Sequence, residues 1–83
     1  MKNKIILIIG GTGALGKTLT SRYYSNNEII ILSRDEHKHV EMSRTYPKAI
    51  YCIGNVKDKD SLLQALNEYK PDVVINTAAL KHV

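Results

Sequence analysis

The residues with the clearest chemical potential lie in the run Gly10-Gly11-Thr12-Gly13-Ala14-Leu15-Gly16-Lys17-Thr18. Read from Gly11 it is G-x-x-x-x-G-K-T, a loop that wraps a nucleoside triphosphate; read from Gly10 it is G-x-x-G-x-x-G, a loop that cradles a dinucleotide diphosphate. Both patterns rely on the same physics, because glycines let the backbone approach the phosphates and a following helix points free N–H groups at them. They differ in their second element. A triphosphatase needs a carboxylate at the end of a neighbouring strand to help hold magnesium. The neighbouring apolar runs end instead in Ile53-Gly54-Asn55 and Ile75-Asn76-Thr77, and Asp35 lies past the end of its own run. A dinucleotide loop requires a residue that meets the adenosine ribose about 20 positions downstream, where Ser33 and Arg34 stand. An acidic residue there would favour the 2′-hydroxyl of NAD, whereas a hydroxyl followed by a guanidinium offers donors to a 2′-phosphate, which points to NADP. Lys38 is placed to add a second positive charge. In this reading Lys17 is a surface residue of the first helical turn.

Other chemistry-bearing side chains have plainer explanations. His37 and His39 are two apart and project in different directions on a helix, which is poor metal geometry, so both are expected to be exposed. His82 is expected either to pack in a loop or to face a substrate. Cys52 sits within the apolar stretch Ala49-Ile50-Tyr51-Cys52-Ile53, and a structural role is expected for it. Asp58 and Asp60 look like paired carboxylates, yet helix capping accounts for both. The five tyrosines adjoin apolar runs and suit the edge of a core.

Positioning these residues requires strands and helices in alternation. Ile5–Ile9, Ile29–Leu32, Ala49–Ile53 and Val73–Ile75 are short apolar runs rich in β-branched residues, as expected of parallel strands covered on both faces. Between them, Leu15, Leu19 and Tyr23 outline one helical face, and Leu62, Leu63, Leu66 and Tyr69 another. The latter helix carries a start signal in Ser61-Leu62-Leu63-Gln64, a capping-box pattern, and a stop signal in Pro71. In Asp35–Tyr46, Val40, Met42 and Tyr46 form no clean stripe, but a helix is the natural filling. The order β-α-β-α-β-α-β predicts the first half of a Rossmann-like doubly wound α/β sheet, with right-handed crossovers and spatial order 3-2-1-4.

Size and charge narrow the class. Eighty-three residues make one small domain, here the whole of 1–83. No apolar run approaches the roughly 20 residues that span a bilayer, and no targeting segment precedes the first strand, so a cytoplasmic location and no membrane partner are expected. The net charge of +4 comes from scattered basic residues without interleaved aromatics, which argues against nucleic acid as the partner.

Taken together, Gly10–Thr18, Leu32-Ser33-Arg34-Asp35-Glu36, Ile53-Gly54-Asn55-Val56-Lys57-Asp58 and Thr77-Ala78-Ala79-Leu80-Lys81-His82-Val83 resemble the N-terminal part of extended short-chain dehydrogenases/reductases. The likeness is greatest to the polysaccharide-biosynthesis group of nucleotide-sugar 4,6-dehydratases and epimerases, the inverting UDP-N-acetylglucosamine 4,6-dehydratases among them. The resemblance implies that Thr12, Gly13, Ala14 and Leu15 wrap the pyrophosphate, with Gly10 and Gly16 permitting the turn and close helix packing. It implies that Ser33, Arg34, Asp35 and Lys38 surround the adenosine ribose and its phosphate, that Asn55 and Val56 meet adenine, and that Thr77 lies beside the cofactor. Lys81 would stand where nicotinamide and a nucleotide-sugar substrate approach. Two positions depart from the group: Asn55 stands where Asp is usual, and Thr77 where Ala is usual.

The group's Tyr-x-x-x-Lys pair and its sugar-facing acid and base residues fall beyond Val83, and no tyrosine here is followed four residues later by lysine. The resemblance therefore implies a cofactor cradle for transient oxidation at sugar C4, elimination of water across C5 and C6, and return of the hydride. Other expectations stay open: an epimerase or reductase of the same superfamily, a non-catalytic remnant or binding module that pairs its open sheet edge with a protein partner or another copy, and a small P-loop protein.

Overall fold

A computed structural model describes residues 2–10, 12–55 and 57–77. Seven elements alternate along it: β1 Ile5–Ile9, α1 Ala14–Tyr23, β2 Glu28–Ser33, α2 Glu36–Thr45, β3 Ile50–Ile53, α3 Lys59–Tyr69 and β4 Val73–Asn76. The strands form one parallel sheet in the order β3-β2-β1-β4. Each strand is short and apolar because parallel strands cannot turn back on themselves; each must wait for a crossover helix that then covers a face.

The sheet separates two apolar layers. Ile6, Ile8, Ile29 and Ile31 point to one side, where Met42, Leu19, Tyr23, Tyr24, Tyr46 and Tyr51 pack on them. Leu7, Ile9, Ile30 and Leu32 point to the other, under Leu62, Leu66 and Tyr69 of α3, with Cys52 packed against them. Ile6, Ile8 and Ile31 are fully sealed from solvent, and each such side chain contributes about 1.5–3 kcal/mol through burial. All five tyrosines border these layers, as expected for a core edge. Beside the Cys52 thiol, Tyr69 has its hydroxyl pKa pushed up to about 12, and burial adds to that.

The helix faces differ from the sequence expectation in detail. On α1 the buried positions are Gly16 and Thr20, and Leu15 is exposed. Small residues let this helix lie close on the sheet, and the Thr20 hydroxyl donates to the Gly16 carbonyl, so it needs no partner from the sheet. On α3, Ala65 is buried and Leu63 faces solvent. The α3 start is also three residues earlier than the Ser61 capping box: Asp58 is the cap, its Oδ1 accepting from the Asp60 N–H and its Oδ2 from the Ser61 hydroxyl. Ser61 thus supports the cap as a donor to its carboxylate. At the far end Lys70 adopts a left-handed conformation, φ 47°, and Pro71 follows to end the helix.

The segment after β2 forms the ten-residue helix α2. Its buried face is His39 and Met42, which corrects the expectation that His39 is exposed; Val40 is the residue left in solvent. His37 is exposed, facing Glu41 one turn on. Asp35 caps the helix, its carboxylate accepting from the Lys38 N–H at 3.1 Å. The His39 ring lies 5.4 Å from the Tyr51 ring, and neither of its nitrogens has a hydrogen-bond partner among the described residues. Burial lowers its pKa, with the carboxylates of Asp35 and Glu36 pulling weakly the other way.

Candidate dinucleotide site

Because the strands are parallel, their carboxyl ends gather at one rim: Gly10 follows β1, Arg34 follows β2, Gly54 and Asn55 follow β3, and Thr77 follows β4. The chain order reverses between β1 and β4. In open α/β sheets the crevice outside such a reversal is where ligands bind.

Gly10 has φ 75°, a conformation that a side chain would strain, and its N–H donates to the Leu32 carbonyl at 2.7 Å. The chain then turns into α1, whose N-cap, Gly13, offers no side-chain cap, and no acidic residue occupies the first turn. The other two helices begin differently. Asp35 caps α2 with Glu36 behind it, and Asp58 caps α3 with Asp60 behind it. Backbone donors at the start of α1 are thus left for an anion, with the helix dipole favouring negative charge there. Thr12, Gly13, Ala14, Leu15 and Gly16 are brought together at this turn; Gly11 lies outside the described residues.

The loop is tied to the rim on both sides. The Thr12 and Ser33 hydroxyls, both buried, are 3.1 Å apart, and Ser33 Oγ also accepts the Asp35 N–H at 3.2 Å. On the other side the fully buried Thr77 hydroxyl donates to the carbonyls of Ile9, 2.7 Å, and Gly10, 3.0 Å. The bulk that distinguishes Thr77 from alanine is therefore turned inward, onto the end of β1, and not out across the crevice.

At the β2 corner Arg34 and Lys38 are exposed, and among the described residues neither is in an ion pair. Asp35 stands between them, with its carboxylate engaged on the Lys38 N–H. Asn55 lies at the β3 corner, its Oδ1 accepting the Lys57 N–H at 2.9 Å, which leaves its amide N–H groups as outward donors. Val56, expected beside it, Lys81, expected at the nicotinamide end, and His82, expected in a loop or facing a substrate, lie outside the described residues.

Gly54 is a position on the rim that motif spacing did not single out. Its N–H donates to the Ser33 carbonyl at 3.0 Å, and a Cβ there would come within 2.9 Å of Leu32 Cδ1 and 3.1 Å of Ser61 Cβ. Glycine thus lets β3 end flush against Ser33. Beside it Ile53 is 57% exposed, an apolar surface next to Asn55 that suits an aromatic base.

Among the described residues no carboxylate directly ends β1, β3 or β4, and no group of three or more His, Cys, Asp or Glu side chains is placed to hold a metal ion. No helix among them is long and apolar enough to cross a membrane.

Comparison with known proteins agrees with this geometry. The model of the family described as "Polysaccharide biosynthesis protein" matches residues 6–83. The UDP-N-acetylglucosamine 4,6-dehydratase (inverting) of Campylobacter jejuni is 48% identical over 85 residues, covering 96% of this chain and 25% of that protein. The UDP-glucose 4-epimerase of Rickettsia bellii is 38% identical over 89 residues, covering 98% of this chain and 26% of that one. Among solved structures, the Bordetella bronchiseptica enzyme WbmG in complex with NAD and UDP superposes with a TM-score of 0.78 at 26% identity, over 90% of this chain and 25% of that chain. The chain spans about a quarter of the length of the curated relatives it matches.

Proposed function

The chain belongs to the polysaccharide biosynthesis protein family, and on that premise we propose that it is the NADP-binding N-terminal portion of a nucleotide-sugar 4,6-dehydratase or epimerase. The observation that carries the proposal is the uncapped, acid-free start of α1 at the β1–β4 reversal, beside two helices whose starts are already occupied by carboxylates. A diphosphate fits that opening. The donors there are backbone N–H groups, which hold an anion without a metal or a titrating side chain.

Within this reading each element of the rim has a task. Gly10 makes the turn, Thr12 to Leu15 face the diphosphate, and Gly16 keeps α1 close to the sheet. Arg34 and Lys38 supply positive charge for a 2′-phosphate, Arg34 by a planar fork of donors. Asp35 is compatible with that role because its charge is partly spent on capping α2. Asn55 and Ile53 stand at the adenine end, where Val56 is proposed to join them; Thr77 braces the glycine turn on the nicotinamide side, where Lys81 is proposed to act. The nicotinamide, when bound, supplies the hydride acceptor for oxidation at a sugar carbon. The residues of this chain bind and orient it; the groups that move protons on the sugar are assigned to the part of the relatives that this chain does not match.

Titration of the chain with NADP and NAD tests the reading. Binding of NADP at least tenfold tighter than NAD, with that preference abolished in Arg34→Ala, is the expected result. Absence of binding to either dinucleotide overturns the proposal. Equal affinity removes the NADP assignment and leaves the dinucleotide site.

A further inference from the structure

Arg34 and Lys38 account for the charge at the β2 corner, but the Ser33 hydroxyl is buried and already engaged. It accepts the Asp35 N–H at 3.2 Å and lies 3.1 Å from the Thr12 hydroxyl. This arrangement leaves a remainder. The pair holds two hydroxyl hydrogens, and their mutual bond consumes one. Either hydroxyl can donate in this pair, and Ser33, whose Oγ already receives the Asp35 N–H, is taken as the donor to Thr12 Oγ1. The hydrogen of Thr12 is then the one unspent. Thr12 is only 7% exposed, so bulk water is a poor taker, and the residue stands immediately before Gly13, the N-cap of the uncapped helix.

We infer that Ser33 is a positioning residue for the diphosphate: held by the Asp35 N–H, it fixes the Thr12 hydroxyl as a donor toward the anion at the start of α1, and does not itself hold a 2′-phosphate. The inference rests on the dinucleotide reading and deepens it. Cofactor preference then belongs to Arg34 and Lys38, while Ser33 and Thr12 set affinity for what NAD and NADP share.

Calorimetric titration of the chain and its Ser33→Ala, Thr12→Val and doubly substituted forms with NADP, NAD and adenosine 2′-monophosphate tests this. Ser33→Ala is expected to weaken NADP and NAD by the same factor, on the order of tenfold for a hydrogen bond to a charged acceptor. Adenosine 2′-monophosphate, which lacks the diphosphate, should bind the variant and the parent alike. In the Thr12→Val background Ser33→Ala should cost nothing further, since the two act as one unit; a merely structural loss would add. Weaker binding of NADP and adenosine 2′-monophosphate with NAD unchanged would overturn the inference while leaving the proposed function standing, as would additive losses. If Ser33→Ala fails to fold, Thr12→Val alone decides: unchanged affinity for both dinucleotides overturns it. A parent chain that binds neither dinucleotide refutes the functional reading and this inference together.

Discussion

Replacing His39 by leucine should stabilise this protein, an unusual expectation for a buried residue. The ring is 5% exposed and both nitrogens lack partners among the described residues. Leaving a buried polar group unsatisfied costs about 1–3 kcal/mol. Leucine escapes that cost but gives up the tilted contact with Tyr51, for which an aromatic pair contributes about 0.5–1.5 kcal/mol. The balance is a gain of about 1 kcal/mol at pH 8, which for a domain of this size raises the melting temperature by about 4–8 °C. The gain should widen in acid. Because the folded pKa is lowered below 6.5, the neutral ring is the form the fold holds, and the unfolded chain takes up the proton first. Stability from this group is therefore present above pH 6.5 and is lost as the pH falls toward the folded pKa, at up to about 1.4 kcal/mol per pH unit. The groups facing the ring are Asp35 and Glu36 at the start of its own helix and Tyr51 across from it on β3, and the two carboxylates soften the loss without reversing it. Urea melts of parent and His39→Leu, followed by circular dichroism at pH 8 and pH 5.5, measure both effects. A variant less stable than the parent at pH 8, or a difference that stays constant between the two pH values, would show that the ring is hydrogen-bonded or protonated in the fold and refute the reasoning.

Further expectations concern the rim. Gly54→Ala should destabilise by about 1–3 kcal/mol, because Leu32 must move from a contact at 2.9 Å in a packed layer; an unchanged denaturation midpoint would mean that β3 can back away freely. Thr77→Val keeps the shape and removes a hydroxyl that donates to two carbonyls at the end of β1, so a loss of about 1–2 kcal/mol is expected in the same melts. Amide hydrogen exchange should quicken at Gly10 in that variant, and unaltered exchange there would count against a tie between β4 and the glycine turn.

The strands were legible because parallel pairing buries both faces, which writes itself as runs such as Ile5–Ile9 and Ile29–Leu32, and the 3-2-1-4 order followed from chain order and crossover length. The glycine turn was legible because its requirement is a backbone one, met at Gly10 by a positive φ. Helix faces were harder. A search for large apolar residues passes over Gly16, Thr20 and Ala65, which pack closely because they are small, and selects Leu15 and Leu63, which face solvent. It passes over His39 because a histidine's burial depends on which face its helix presents, and α2 shows no clean apolar stripe. Overlapping patterns, Asp58-x-x-Ser61 and Ser61-x-x-Gln64, offer the same backbone two starts, and the carboxylate, the stronger acceptor, takes the cap. The coupling of Thr12 to Ser33 and of Thr77 to Gly10 needs two elements placed side by side, so no single motif contains it.

The Thr77 hydroxyl joins atoms 68 residues apart along the chain. Contacts of such long separation pay loop-closure entropy before they return anything, so they form late in folding. During synthesis the glycine turn emerges long before the strand that clamps it. The side of the crevice that Thr77 clamps is consequently finished only when β4 docks beside β1.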